Sequence, residues 1–277
     1  MSKEEEFTKV SYKKKTRRPK GVIKSVTNLD SISIDNHINK DKSLERILTS
    51  KNEILHSKFY INVKTLFNEV ISELGIQEIK NIICFGLGHI GDCLSSQYQL
   101  AFLLNICDEF NITNTLVYDP IFSEIECQIL QHFGLQVEAT NKEGKYKICP
   151  NEATLLYAPH CPKQLMNNFL WKNWEESLSN CIIIGNSFSQ IVETNSKRIL
   201  EEQAAYLLKI CPYTKEFDIE NNFKFTDIFN DTSIHSFPKE NIKDLLSKFW
   251  LDKIEPAYIS DDIEFITNAV CSELQIT

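Results

Sequence analysis

A doubly wound, mostly parallel α/β sheet of the Rossmann-like kind, in a single domain, is the fold this sequence predicts. Three observations carry it. Short apolar runs alternate with helical stretches from residue 79 to residue 210, and helical crossovers of that length join parallel strands. The first apolar run ends in G-x-G-x-x-G at Gly86, Gly88 and Gly91, a pattern suited to a strand-to-helix turn. The 277 residues are 42% hydrophobic and 25% charged, enough apolar chain for a full core, which excludes disordered, collagenous and coiled-coil proteins.

Residues 1–40 are polar without sustained periodicity and are expected to form a disordered basic extension, with the folded domain over 41–277. N-terminal helices follow. Leu44, Ile47, Leu48, Ile54 and Leu55 suggest one over 43–55. Val63, Leu66, Phe67, Val70, Ile71 and Leu74 recur at i, i+3, i+4, i+7, i+8 and i+11, one apolar stripe on a helix over 62–74 that Gly75 stops. Strands are then expected over 79–85, 115–118, 135–139, 153–158 and 181–185. Helices between and after them are expected over 92–110, 123–133, 163–178 and 196–210. The helix at 123 opens with Ser123-x-x-Glu126, a capping box, and ends at Gly134. Past Pro212 the pattern loosens into a polar stretch, an aromatic segment (Phe223, Phe225, Phe229), a helix near 239–250 and an acidic last helix near 261–274.

Charge is unevenly distributed. Residues 1–24 hold nine Lys/Arg against three Glu, a net of +6, while the whole chain is −8, leaving −14 on the remainder. So acidic a body repels a phosphate backbone, and contact with nucleic acid is expected only through the tail. The run from Lys13 to Lys20 also has the character of a nuclear address; a solvated arm is the plainer alternative. No apolar run reaches 18 residues and no apolar stretch follows the N-terminus, so neither a membrane span nor a secretory signal is expected. Nine cysteines in that setting argue for reduced thiols in cytosol or nucleus.

The glycine turn is the sharpest chemical signal. Gly86 would permit a tight turn, Gly88 the approach of a pyrophosphate, and Gly91 the packing of helix on strand, with the anion on the helix N-terminus. Asp119 ends the second expected strand, where an acid usually receives a ribose hydroxyl. It lies 28 residues past Gly91, against the usual ~20. NAD and S-adenosylmethionine both suit that layout, and a structural turn that binds nothing is the alternative. Ala158-Pro159-His160-Cys161-Pro162 and Gly185-Asn186-Ser187 follow the fourth and fifth strands. Gly86, Asp119, His160, Asn186 and Ser187 should therefore share the carboxyl rim of the sheet. His160 is a candidate acid or base and Cys161 a candidate nucleophile; a backbone-bonded histidine and an inert packed thiol are the alternatives. No Cys-x-x-Cys or His pair has zinc-ligand spacing, so no metal site is expected. Cys-Pro occurs at 149–150, 161–162 and 211–212, a pattern that suits thiolate ligation of haem, or prolines that mark element boundaries.

Seven short segments carry a more specific resemblance: Cys-Phe-Gly-Leu-Gly (84–88), Gln-Tyr-Gln-Leu-Ala (97–101), Val-Tyr-Asp-Pro (117–120), Ala-Pro-His-Cys-Pro (158–162), Asn-Trp (173–174), Ile-Gly-Asn-Ser-Phe (184–188) and Phe-Asn-Asp-Thr-Ser-Ile-His (229–235). In this order they resemble the Sensitivity-to-Red-Light-Reduced family over about residues 60–240. Ala158 stands where that family often has Met, and Ser236 where it often has Trp. The resemblance implies a regulator, cytoplasmic and nuclear, linked to circadian clock input and regulation of haem biosynthesis, and in fungi to microtubules. It supplies no catalytic residue. Three readings follow: a regulator that senses a small nucleotide-like ligand or haem and engages protein partners, an enzyme using a dinucleotide or S-adenosylmethionine, and an interaction scaffold.

Overall fold

The computed structural model describes residues 38–245 and 247–271; the basic extension expected over 1–40 lies, but for its last three residues, outside them. Two helices come first, α1 (Lys40–Leu55) and α2 (Lys58–Leu74). The α2 stripe buries Val63, Phe67 and Val70, each contributing about 1.5–3 kcal/mol over the exposed state. Its start is capped by the Ser57 side chain, which accepts from the Tyr60 N–H. Its end is closed by Gly75 at φ +66°, a conformation glycine reaches without steric cost.

The alternation then runs β1 (Ile79–Phe85), α3 (Leu94–Glu109), β2 (Asn114–Tyr118), α4 (Glu124–His132), β3 (Gln136–Val137), β4 (Ala153–Ala158), α5 (Lys163–Lys172) and β5 (Cys181–Asn186). A short helix that was not expected, α6 (Phe188–Thr194), follows β5, and the stretch expected as one helix over 196–210 is broken into α7 (Lys197–Gln203) and α8 (Ala205–Ile210). Ala204, fully buried at φ −148°, takes the chain out of helical geometry between the last two. Beyond Pro212, where no strand was expected, β6 (Lys215–Asp218) and β7 (Thr232–Ser236) extend the sheet, followed by α9 (Lys239–Ile242) and α10 (Ser247–Leu251). The expected acidic helix near 261–274 is not continuous: 263–267 is irregular chain with a bend at 265.

The seven strands lie in the order β3-β2-β1-β4-β5-β7-β6. The first five are parallel, while β7 runs antiparallel to both β5 and β6. Side chains alternate across the sheet. Ile82, Cys84, Leu155, Tyr157, Ile182 and Ile184 face the core formed with α1 to α4. Ile83, Phe85, Leu156, Ala158, Cys181 and Ile183 face the core formed with α5, α7 and α8. Helices thus cover both faces. Among the described residues no helix is long and apolar enough to cross a membrane.

Helix α3 is buried on almost every side, including Gln97, Gln99 and Asn105. A buried amide without partners would cost about 1–3 kcal/mol, and each of these is bonded. Gln97 donates to the Gly91 carbonyl (3.2 Å), Gln99 to the Ile228 carbonyl (3.3 Å) and Asn105 to the Lys51 carbonyl (2.9 Å). The Gln-Tyr-Gln segment therefore ties the glycine turn to the aromatic loop before β7.

Candidate functional site

Strands β1 and β4 are neighbours, with β2 beyond one and β5 beyond the other. This is the switch in strand order, outside whose carboxyl ends ligands bind in open α/β sheets. A cleft of about 170 Å³ lies there, walled by Phe85, Tyr118, Tyr146 and Phe265 and edged by Asp119, Asn141 and His160. Gly86 and Cys161 are also in its wall; Gly88, Gly91, Asn186 and Ser187 are not.

The glycine turn is built as expected at its first two positions. Gly86 (φ +81°) and Gly88 (φ +72°) are left-handed. A Cβ on Gly86 would lie 2.3 Å from the Cys161 Sγ, so the absence of a side chain there makes room for the thiol. The third position differs from expectation. A Cβ on Gly91 would lie 2.8 Å from Ile38 Cδ1, so this glycine admits the segment before α1 rather than packing helix on strand. Helix α3 starts at Leu94, past a turn at 90–92 and its N-cap Cys93.

The N–H groups of the turn are occupied by carboxylates of the chain itself. Gly88 N–H donates to Asp119 Oδ2 at 2.8 Å, and Asp119 Oδ1 accepts from Ile121 N–H at 3.2 Å. Gly91 N–H donates to Glu126 Oε1 at 2.9 Å, while Glu126 Oε2 accepts from Ser123 N–H (2.9 Å) and faces His89 Nδ1 (3.2 Å). Glu126 is fully buried. Burial pushes its pKa up, but the hydrogen bonds from His89, Ser123 and Gly91 outweigh that and hold it below the usual range. Asp119 goes the other way: burial raises its pKa more than the Gly88 and Ile121 N–H groups and nearby His89 lower it.

His160 sits at φ +51° with its Nε2 2.9 Å from the Ile228 carbonyl, an acceptor that places a proton on Nε2, so that in the neutral ring Nδ1 is the acceptor. Cys161 is buried, its thiol donates to the Phe85 carbonyl at 3.3 Å, and burial pushes its pKa well up. It therefore has the character of a packed thiol. Asn186 donates to the Cys161 carbonyl (3.0 Å), and Ser187 caps α6 by accepting from Gln190 N–H (3.1 Å). The rim motifs after β4 and β5 thus hold each other, while Gly86, Asp119, His160 and Cys161 meet at the cleft.

Several cleft residues carry no sequence signal of a site. Tyr146 lies in the irregular chain before β4, and its ring stacks on Phe85 with centroids 5.7 Å apart and planes 13° apart. Its hydroxyl is buried with no hydrogen-bond partner, and burial raises its pKa, so it is a neutral donor. Glu264, Phe265 and Ile266 close the cleft from the far end of the chain. This strap is held by Gln164, which donates to the Asp262 carbonyl and accepts from the Glu264 N–H, both at 2.8 Å, and by Asn141, which donates to the Ile266 carbonyl at 2.8 Å. Of the aromatic wall, Phe85 and Tyr118 were foreshadowed, as parts of Cys-Phe-Gly-Leu-Gly and Val-Tyr-Asp-Pro. Glu126 was visible as a capping-box residue, a role it fills, but not as a partner of the glycine turn.

The SRR1 domain family model matches residues 44–236. The chain is 27% identical over 237 residues to an SRR1-like protein of Drosophila melanogaster, covering 85% of this chain and 82% of that protein. It is 39% identical over 131 residues to an SRR1-like protein of Mus musculus, covering 46% of this chain and 52% of that one. It is 29% identical over 183 residues to Protein SENSITIVITY TO RED LIGHT REDUCED 1 of Arabidopsis thaliana, covering 61% and 63%. With the family model matched over more than half of its length, the chain belongs to the SRR1 domain family.

Proposed function

We propose that this is a regulatory protein whose α/β sheet senses a small ligand in the cleft at the ends of β1, β2 and β4 and passes its state to a protein partner. The observation that carries the reading is the cleft itself: it lies at the switch in strand order and is edged by a half-buried Asp119, by His160 and by a Tyr146 whose hydroxyl has no partner. The plant relative is named for reduced sensitivity to red light, which is in keeping with regulation. Links to circadian clock input and to haem biosynthesis, and a place in cytoplasm and nucleus, are carried by the family resemblance, with the basic run at 13–20 as a nuclear address.

A second reading, an enzyme using NAD or S-adenosylmethionine, is favoured by left-handed glycines after β1 with an acid at the end of β2. Against it, the turn N–H groups of Gly88 and Gly91 are already bonded to carboxylates. The test is native mass spectrometry of the freshly purified protein, then thermal shift with NAD(H), NADP(H), S-adenosylmethionine, ATP, haemin and small uncharged rings. Stabilisation that grows with the concentration of one compound supports a sensing or cofactor site. No shift with any of them sinks both readings and favours a scaffold.

A further inference from the structure

We infer that the cleft takes a single nitrogen-containing aromatic ring, neutral or cationic and without phosphate, stacked among Phe85, Tyr146 and Phe265 and hydrogen-bonded by Asp119 and the Tyr146 hydroxyl. The inference rests on the sensing reading above and names the class of ligand for that same site.

Size comes first. A space of about 170 Å³ is below the roughly 300–1,000 Å³ of pockets that enclose drug-sized molecules. It is close to the roughly 150 Å³ of an apolar cavity known to hold one benzene ring. One ring fills it; a dinucleotide would project well beyond it.

Charge comes second. A phosphate needs free N–H groups or cations. The turn that would supply the N–H groups spends two of them on Asp119 and Glu126, which place negative charge where the phosphate would sit. Among the described residues, those lining the cleft include no Lys or Arg. Lys163, next to Pro162 in the wall, is paired with Glu264 of the strap at 2.8 Å.

The polar groups complete the argument. The Tyr146 side chain is in the wall and 3% exposed, and its hydroxyl is one of seven buried side-chain N or O atoms without a hydrogen-bond partner among the described residues. It can donate to a ring nitrogen. Asp119 can accept from a ring N–H or exocyclic amine, and the Nδ1 of His160 offers a further acceptor at the rim. Aromatic walls with one donor and two acceptors recognise a flat heterocycle by stacking and by its edge.

The experiment uses the full chain and matched probes: nicotinamide against nicotinamide mononucleotide, cytosine against CMP, and 2-aminopyridine, read by calorimetry and thermal shift. The expected result is that at least one free ring binds and that its phosphorylated partner binds about tenfold more weakly or worse. Tyr146→Phe is expected to weaken the ring about threefold to tenfold while raising the melting temperature of the ligand-free protein, because it removes an unpaired buried hydroxyl. Asp119→Asn is a second variant, checked for fold by circular dichroism. A phosphorylated probe binding as tightly as its free ring overturns the ring inference and leaves the sensing reading standing. Failure of all rings while NAD or S-adenosylmethionine binds does the same. A Tyr146→Phe protein with unchanged affinity and no gain in melting temperature means a water satisfies the hydroxyl, and the inference falls.

Discussion

The thiol of Cys161 lies in the space above Gly86, its Sγ 2.3 Å from where a Cβ on that glycine would stand, and donates to the carbonyl of Phe85. The end of β1 and the loop after β4, three strands later in chain order but its neighbour in the sheet, are thereby locked together across the switch in strand order. The contact explains why the first glycine of the turn and the cysteine of the Pro-His-Cys loop occur together without any chemistry being asked of the thiol.

Gly86→Ala should therefore be severe, destabilising by about 2–5 kcal/mol, from the positive φ and from overpacking against the thiol. Cys161→Ala alone should cost about 1 kcal/mol, the worth of one modest hydrogen bond. The double variant should recover most of the steric part, leaving about 1–2 kcal/mol for the backbone conformation. Urea melts of the four proteins give the coupling directly; additive losses would mean the thiol is not what the alanine meets.

Asp119→Ala leaves the N–H groups of Gly88 and Ile121 without their acceptor. A loss of about 1–3 kcal/mol is expected, with faster amide exchange at residues 86–91. Asp119→Asn keeps only one carbonyl oxygen and sets an amide NH₂ against the other N–H, so it should fall between wild type and alanine. Unchanged exchange in the alanine variant would remove Asp119 as the holder of the turn.

The His89–Glu126 pair makes stability depend on pH, with a definite sign. His89 is raised, chiefly by its hydrogen bond to Glu126, against a smaller desolvation effect. Its contribution is fully present below the unfolded value of about 6.5 and is lost as pH rises through the folded value. Glu126 is lowered, so its share is present above about 4.3 and is lost as pH falls through its folded value. Wild type should exceed Glu126→Gln most between those limits, by about 1.5–3 kcal/mol for hydrogen bonds to a charged group. The gap should narrow on the alkaline side; a gap that stays constant from pH 5 to 9 would show that the pair is not titrating.

Gln164 is fully buried and bonds the strap at both Asp262 and Glu264. Gln164→Ala should cost about 1–3 kcal/mol and expose 259–267 to limited proteolysis at a concentration that leaves wild type whole. Equal cleavage of the two would mean that Gln164 does not hold the strap.

What could be read along the chain is what repeats along the chain. The runs at 79–85 and 153–158 match β1 and β4 to the residue, and the Ser123–Glu126 capping box and Gly75 stop stand as expected. Each is encoded by neighbours two to four positions apart. The β6–β7 pair was hidden because Lys-Glu-Phe-Asp at 215–218 is an exposed edge with polar ends, and Lys215 reaches across to Glu73. The expected helix at 196–210 hid its break because Ala204 is a good helix former that the buried packing turns out of the helix.

The sequence by itself determined the family, the parallel alternation and the tight glycine turn after β1, since those rest on local spacing and on motifs in order. Only the tertiary structure decided what the turn holds and what forms the cleft. Gly88 meets Asp119 across 31 residues, Gly91 meets Glu126 across 35, and Glu264 meets Gln164 across 100. No periodicity records such distances. They are set when the sheet closes and each buried N–H or carboxylate must find a partner or bear the cost of having none.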